Sequence, residues 1–464
     1  MSNFVNVTVN GKQISAKVGT LLSDILDIEK PCGGHGTCGK CKVKVNGRDQ
    51  LACKYIVESD IEVETYKKAE IVSSTGAIES GVLTSNLCFA LDIGTTTLAL
   101  ALVSRDEKRI VRVVTATNPQ RSFGADVISR IEYCRDNGVE ALKSSVVGAV
   151  NKMIDGIFAE FGNLPIEKMY VAGNTTMLHC FLGVDCSSMG ASPYTPSFIK
   201  MRAERGCDVG IDRVGEIVTL PGVSAFVGAD IVAGVNYVDM PKDDRYSLLI
   251  DLGTNAEIIL FSKENLICTA AAAGPCFEGV NISCGMSAAE GAVSAYFADK
   301  SYETIGNQKA KGICATGLVD IIAESVKNET VDETGYMEDD LVIAEGVCLT
   351  PKDVREFQLA KSAVLSATEC LLEKVGIGVA DLERIYVAGG FSAALKVENA
   401  VYTGLLPKGA EKIFTPVNNS SLLGCVKYAL EEKKLDFVEK TKYIDVSADG
   451  SFSEKFFENM CFEV

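Results

Sequence analysis

Ala90-Leu-Asp92-Ile-Gly94-Thr95-Thr96-Thr97 decides the fold of this chain, because it occurs twice. The second copy reads Leu249-Ile-Asp251-Leu-Gly253-Thr254-Asn255-Ala256. Each copy is followed by a matched stretch: Lys168-Met-Tyr-Val-Ala-Gly173-Asn174-Thr175-Thr176 after the first, Arg384-Ile-Tyr-Val-Ala-Gly389-Gly390-Phe391-Ser392 after the second. Two tandem copies of one supersecondary unit, in the same order, predict two similar lobes facing each other. In each copy an apolar strand reaches an acid, turns tightly at glycine and returns as a second strand. The tip of such a hairpin carries backbone N–H groups and threonine hydroxyls, which are donors for phosphate oxygens. Gly94, Thr95, Thr96 and Thr97, with Gly253, Thr254 and Asn255, are therefore candidate phosphate ligands.

Asp92 and Asp251 cannot bind phosphate directly, because both partners are anions. Their predicted work is catalytic: to hold Mg²⁺, through water, or to orient an attacking water. The glycine turns Gly173-Asn174-Thr175 and Gly389-Gly390-Phe391 follow short strands and precede expected helices. A helix N-terminus reached through glycine favours an anion, and the later turn leaves room for adenine and ribose beside the backbone. A single Asp-x-Gly-Thr is weak, since turns use these residues for conformational reasons. Duplication in matching order is what makes the signal specific.

Outward from the repeat, the N-terminal part carries Cys32, Cys38, Cys41 and Cys53 at the spacing C-x5-C-x2-C-x11-C. This is close to the plant-type ferredoxin pattern, in which four thiolates hold a 2Fe–2S cluster. Gly33, Gly34, Gly36 and Gly39 let the loop wrap closely. Zinc is the competing ligand set, but zinc sites usually show two C-x2-C pairs, and here the fourth cysteine stands alone. Period-two alternation in residues 4–10, a second strand at 13–17, a short helix at Thr20–Leu26, and further strands at Lys42–Gly47 and Ile61–Thr65 predict a β-grasp module around the loop. The polar run Ser73–Gly81 reads as a linker.

Helical periodicity covers Lys143–Phe161 and Val354–Val375. The second helix has Thr350 as N-cap, Pro351 at N1, Asp353 at N3 and Gly376 beyond its end. The tail from Lys433 shows no clear pattern. The chain has 464 residues, 47% of them apolar, and a formal net charge of −17. That charge argues against nucleic acid or an anionic membrane as partner. No signal peptide or membrane span is expected. Seventeen cysteines in a chain of this length point to reduced thiols and a cytoplasmic setting. Cys88, Cys180, Cys268 and Cys370 lie in apolar segments and read as core residues. Of the two histidines, His179 reads as structural, and His35 sits inside the cysteine loop.

The Asp92 and Asp251 motifs with the Gly389 turn resemble the actin-like ATPase superfamily of sugar kinases, heat-shock chaperones and actin. Joined to an N-terminal 2Fe–2S module, the chain resembles the reductive activators of corrinoid proteins. Family-like wording recurs at Gly173-Asn-Thr-Thr-Met-Leu-His, Ala273-Gly-Pro-Cys-Phe-Glu-Gly-Val-Asn-Ile-Ser-Cys-Gly-Met286 and Arg355-Glu-Phe-Gln-Leu-Ala-Lys361. The resemblance implies an α+β β-grasp ferredoxin domain followed by a two-lobed α/β actin-like ATPase with duplicated ribonuclease-H-like lobes. In residues these are 1–70 for the ferredoxin, 71–87 for the linker, 88–245 for lobe I and 246–464 for lobe II.

It further implies a 2Fe–2S cluster on the four cysteines, with Mg²⁺-ATP held by the Asp92 and Asp251 motifs. Gly389, Gly390 and Phe391 would line the adenosine side. The implied activity is ATP-dependent return of a corrinoid from Co(II) to Co(I) for methyltransferases. The implied partners are a corrinoid protein and an upstream electron donor, with a homodimer left open. Relatives commonly carry an extra domain where this chain has only its linker. Two other readings remain. One is an activator of a dehydratase or radical enzyme, with Cys276 and Cys284 as cluster ligands within the ATPase fold. The other is a small-molecule kinase with Asp230 as base.

Overall fold

The computed structural model describes residues 4–26, 28, 41–65, 86–238, 240–241 and 243–462. Cys32, His35, Cys38 and the Ser73–Gly81 run lie outside them.

In the N-terminal unit, β1 (Phe4–Val9), β2 (Lys12–Lys17), β3 (Lys42–Val45), β4 (Arg48–Leu51) and β5 (Ile61–Thr65) form one sheet in the order β2-β1-β5-β3-β4. β5 runs parallel to β1 and antiparallel to β3. Period-two alternation turns Val7, Val43, Val45, Ile61 and Val63 inward, where they meet Leu22 of the short helix Leu22–Ile25, together with Cys41 and Cys53.

The rest of the chain folds around two larger sheets. The first comprises β6 (Leu87–Ile93), β7 (Thr97–Ser104), β8 (Arg109–Thr117), β9 (Ile166–Gly173), β10 (Arg202–Arg205) and β11 (Val214–Thr219), in the order β10-β11-β9-β6-β7-β8. In the second half come β12 (Tyr246–Leu252), β13 (Ala256–Phe261) and β14 (Leu266–Ala271). A small sheet of β15 (Ala292–Tyr296), β16 (Tyr302–Thr304) and β17 (Gly312–Ile313) follows, then the hairpin β18 (Leu341–Ala344) and β19 (Val347–Leu349). The chain re-enters the large sheet with β20 (Leu382–Ala388), β21 (Phe414–Pro416) and β22 (Thr441–Tyr443), giving β21-β20-β12-β13-β14-β22.

The two sheets share one plan. A three-strand antiparallel meander (β6-β7-β8, β12-β13-β14) is flanked by two parallel strands (β9 and β11, β20 and β21). The inner strands are apolar along almost their whole length, as strands covered on both faces must be.

The helices Glu140–Phe161 and Pro351–Val375 cover these sheets. The second starts with a capping box: Thr350 Oγ1 accepts from the Asp353 N–H at 3.3 Å, and Asp353 returns the favour to the Thr350 N–H at 2.9 Å. Gly376 ends it in the left-handed region at φ 73°. The first begins at Glu140, ahead of its apolar periodicity, because Glu140 and Ala141 are good helix formers that bury little.

At the centre, two helices lie between the sheets. Ala229–Tyr237 bridges them: Ala229, Val232 and Ala233 pack into the core of the first sheet, Ile231 and Val235 against Leu249, Ile259 and Phe261 of the second. Ser420–Glu431 follows the second sheet in sequence, yet its Leu422, Cys425 and Val426 pack with Phe89, Leu91 and Val171 of the first. The helices cross at small residues: a Cβ on Gly424 would lie 1.8 Å from the Ala233 carbonyl oxygen. Glu432, just past the second helix, is ion-paired to Lys168 at 3.0 Å and Arg105 at 2.8 Å, both on the first lobe.

The tail, patternless in sequence, is ordered by long-range bonds. The helix Gly450–Glu458 packs on Pro351–Val375, and Gln358, Lys361 and Ser362 of that long helix hold the carbonyls of Met460, Cys461 and Asn459.

Candidate nucleotide site and cysteine pair

Between the two sheets opens a cleft of about 1190 Å³. Its walls include Asp92, Gly94, Thr95, Thr96, Thr97 and Asn174 from the first lobe. From the second come Asp251, Gly253, Thr254, Asn255, Gly389, Gly390 and Phe391. Gly173 sits just behind this wall. The Thr175 hydroxyl is turned away, donating to the Ser224 carbonyl at 2.6 Å.

Strand pairing explains the convergence. Asp92 is in register with Ala172 on β9, and Asp251 with Ala388 on β20, so each aspartate lies beside its glycine turn. Both turns demand glycine for the same reason. Gly173 (φ 154°) and Gly389 (φ 113°) have positive φ, and a Cβ would lie 2.8 Å from the Ile93 carbonyl oxygen and 2.5 Å from that of Leu252. The two turns then diverge. After Gly173, the Asn174 side chain accepts from the Met177 N–H at 2.9 Å and caps the helix Thr175–Leu182. After Gly389 the short turn Ser392–Ala394 comes first and the helix starts later, at Val397–Tyr402, because Gly390 offers no capping side chain and Phe391 stacks on Phe277 at 5.5 Å.

The tip of the first hairpin is aimed by its neighbours. Asn118 donates its side-chain N–H to the Gly94 carbonyl and its backbone N–H to that of Thr96, both at 2.8 Å, while Arg130 donates to the Thr95 carbonyl at 2.5 Å. In trans peptides the next N–H points opposite to each carbonyl. With three carbonyls pulled backward, the amides of Thr95, Thr96 and Thr97 point the other way. Arg130 is fully buried, and burial pulls its guanidinium down to about 10. Across the cleft, Glu278 accepts from the Thr96 hydroxyl and, at 2.9 Å, from the Thr254 hydroxyl.

Four carboxylates gather at the bottom, Asp92 and Glu257 buried, Asp230 and Asp251 partly exposed. Asp251 is pushed up to about 7 by burial and by the nearby charges of Asp230 and Asp92. Asp230, in the first turn of Ala229–Tyr237, is raised chiefly by burial and then by Asp92. Glu257 stands directly across the hairpin from Asp251 and is raised well above the usual range by burial, then by Asp230 and Asp251. Asp92 is raised by burial, opposed by hydrogen bonds from Ser421 Oγ at 2.7 Å and Asn419 Nδ2 at 2.8 Å. Carboxylates forced together in this way either take up protons or gain a cation. Among the described residues no three of these side chains are placed as ligands of one ion, so any cation here would be held in part by groups other than the chain's carboxylates.

Glu257, Glu278, Arg130, Asn118, Asn419 and Ser421 carry no local signature in the sequence. Glu257 was reachable by counting across the hairpin from Asp251. Asn419 was reachable as an N-cap before an apolar run, and its side chain does accept from the Leu422 N–H at 2.7 Å.

In the N-terminal unit Cys41 and Cys53 are buried side by side, their sulfurs 3.1 Å apart. Their closeness fits two ligands of one metal group. Elsewhere, Cys276 is buried, its thiol pushed up by burial, and Cys284 faces Cys348 at 3.9 Å. His179 is a satisfied core residue: Nδ1 lies 2.7 Å from the Thr175 carbonyl, and Nε2 accepts from the Ser197 N–H at 3.1 Å.

Duplicated sheets, a phosphate hairpin on each and a shared acidic cleft define a two-lobed, nucleotide-binding ATPase of the actin-like class. A family profile described as the C-terminal domain of RACo, the ASKHA domain, matches residues 245–464, and one described as the RACo middle region matches 87–243. The chain is 30% identical over 416 residues to the corrinoid activation enzyme RamQ of Eubacterium limosum, covering 80% of this chain and 70% of that protein. It is 26% identical over 387 residues to the Co(II) methylated amine-specific corrinoid protein reductase of Methanosarcina barkeri, covering 75% and 71%. The solved structure of a reductive activator for corrinoid, iron-sulfur protein matches with 25% identity and a TM-score of 0.74, over 99% of this chain and 98% of that one. The chain belongs to this family of reductive activators of corrinoid proteins. Its middle region is thus represented here, by residues 87–243.

Proposed function

We propose that this protein couples ATP turnover between its lobes to the transfer of one electron onto a corrinoid protein, converting Co(II) to Co(I) for methyl transfer. The observation that carries the reading is the convergence of two phosphate hairpins and Asp92, Asp230 and Asp251 on one cleft. The names of its relatives supply the substrate class. Asp92 and Asp251 are assigned the Mg²⁺ and the attacking water, and the hairpin amides and hydroxyls the phosphates. Gly389, Gly390 and Phe391 are assigned the adenosine. Asp230, on the cleft floor, suits the proton of the attacking water better than that of a metabolite, since Asp92 and Asp251 crowd it.

Residues 1–70 are read as a ferredoxin-like β-grasp domain. The mixed sheet and the buried Cys41–Cys53 pair support this, with Cys32 and Cys38 completing the ligand set. A 2Fe–2S cluster held there would supply a one-electron store, refilled by an upstream donor. Plant-type clusters sit near about −400 mV, and Co(I) demands a lower potential. Each ~100 mV uphill costs about 2.3 kcal/mol per electron. ATP can meet that cost only if the two lobe arrangements bind the corrinoid protein differently, so that docking changes the cobalt's surroundings before the electron passes. Seventeen cysteines in a chain of 464 residues accord with a reducing cytoplasm. No described helix is long and apolar enough to cross a membrane.

The test is anaerobic and optical. A methyltransferase corrinoid protein held as Co(II) is mixed with the reduced activator, with and without Mg²⁺-ATP. Co(I) bands are expected only with ATP. Reduction indifferent to ATP would remove the coupling.

A further inference from the structure

The place between the two hairpins that suits a phosphate is filled by a carboxylate of the chain itself. Glu278 ends the short turn Pro275–Glu278 within Gly274-Pro-Cys-Phe-Glu-Gly279, a stretch to which the nucleotide site as built above gives no task. One of its oxygens takes the Thr96 hydroxyl of the first lobe, the other the Thr254 hydroxyl of the second. A carboxylate presents acceptor oxygens to both hairpins at once, as a phosphate would. The charge logic agrees. The buried Arg130 guanidinium behind the first hairpin feels the Glu278 charge, so the field that favours phosphate here already favours Glu278. With Asp92, Asp230, Asp251 and Glu257 below, a second anion cannot share this position; one has to leave.

We propose that Glu278 is the internal occupant of the phosphate position: it closes the two lobes on each other in the nucleotide-free protein, and the terminal phosphate of Mg²⁺-ATP displaces it. This rests on the ATP reading above. The displaced carboxylate belongs to a segment too tightly folded to absorb the movement locally. Gly279 has φ 72°, and a Cβ there would lie 2.5 Å from the Met286 nitrogen; a Cβ on Gly285 would lie 2.4 Å from the Gly279 carbonyl oxygen. The far side of this knot is tied outward. Ser283 donates its N–H and hydroxyl to Asp353 at 2.7 and 3.0 Å, at the start of the helix Pro351–Val375, and the Cys284 thiol lies 3.9 Å from that of Cys348 on β19. Arrival of phosphate is thereby reported to the long helix and to the β18–β19 hairpin.

The test is a calorimetric titration of the full-length protein with the magnesium complex of a non-hydrolysable ATP analogue, and separately with adenosine. Wild type is compared with Glu278→Gln and Glu278→Ala. Because the internal competitor is gone, both variants are expected to bind the triphosphate about tenfold more tightly, with adenosine binding unchanged. Triphosphate binding that is unchanged or weaker in the variants overturns the displacement and leaves the ATP reading standing. A wild type that binds no nucleotide overturns both. Should the variants misfold, hydrogen exchange on the wild type decides: adding the analogue must raise exchange in residues 275–286, and protection there overturns the proposal.

Discussion

The two candidate phosphate hairpins share one strand–turn–strand plan, with four residues in the first turn and three in the second, and have opposite surroundings. In the first lobe Asp92 faces Ala99 across the hairpin and is gripped from the second lobe by Asn419 and Ser421. In the second lobe Asp251 faces Glu257 and is pressed further by Asp230. Both tips close on themselves, through Gly94 N–H to the Thr97 carbonyl at 3.0 Å and Gly253 N–H to the Asn255 carbonyl at 3.1 Å, and the carbonyls behind the first are held in addition by Asn118 and Arg130. Duplication supplied the geometry, and divergence of the neighbours divided the work. Asp92 became a tie between lobes, each bond to its carboxylate contributing about 1.5–3 kcal/mol. Asp251 was left among like charges that only a proton or a cation relieves.

Replacing the aspartates one at a time is the hardest test of that contrast. Asp251→Asn should lower ATP turnover and ATP-dependent Co(I) formation about a thousandfold, as loss of a metal-holding charge worth about 4 kcal/mol would. The nucleotide-free variant should also melt higher than wild type at pH 8, because a crowded charge is gone. Asp92→Ala should do the reverse to stability. It leaves Asn419 and Ser421 buried without their acceptor, at a cost of about 1–3 kcal/mol. Melting curves and steady-state turnover check both. If both variants melt lower than wild type by the same amount, the two aspartates do not differ in the way their neighbours imply.

The pH dependence of stability sharpens the same point. The Asp251 carboxyl titrates near 7 in the folded protein against an ordinary value of 3.8, and Asp92, Asp230 and Glu257 are displaced in the same direction. Between about pH 4 and 7 the folded state therefore binds more protons than the unfolded one, and unfolding free energy falls as pH rises. Glu432, held down to about 2 chiefly by the Tyr170 hydroxyl and then by Arg105, acts oppositely but only in the acid range below its ordinary 4.5. Mg²⁺-nucleotide needs the deprotonated carboxylates, so it should restore most stability at pH 8 and least at pH 6. Asp251→Asn should flatten the curve. A ligand-free melting temperature that climbs from pH 5 to 8 would contradict the assignment.

These contrasts explain what the sequence could disclose. The lobes were legible because Asp-x-Gly-Thr and Tyr-Val-Ala-Gly are local and repeat in order, and the helix Pro351–Val375 because Thr350, Asp353 and Gly376 are local stop and start signals. Glu278 and the grip of Asn419 and Ser421 on Asp92 were not, because each depends on residues brought together across the cleft. The bridging by Ala229–Tyr237 and the crossing of Ser420–Glu431 to the first sheet were hidden for the same reason: apolar periodicity says that a face is buried, not against which sheet. The tail was opaque because its order is imposed by Gln358, Lys361 and Ser362, about a hundred residues earlier in the chain.

The smallest effect separates the glycine turns. Asn174 does two things that nothing at Gly390 does: it caps the helix Thr175–Leu182, and it donates to Thr95 Oγ1 at 3.2 Å. Asn174→Ala loses both and should cost about 1 kcal/mol of stability along with a several-fold rise in the Kd for nucleotide. Asn174→Asp keeps a capping oxygen, so stability should hold. It removes the donor to Thr95 and sets a negative charge beside the phosphates, so the Kd should rise at least as far as in the alanine variant. The two substitutions thus pull stability and affinity apart. If the aspartate variant bound nucleotide as wild type does, the first turn would serve the helix alone, and the two lobes would be more alike in function than their surroundings indicate.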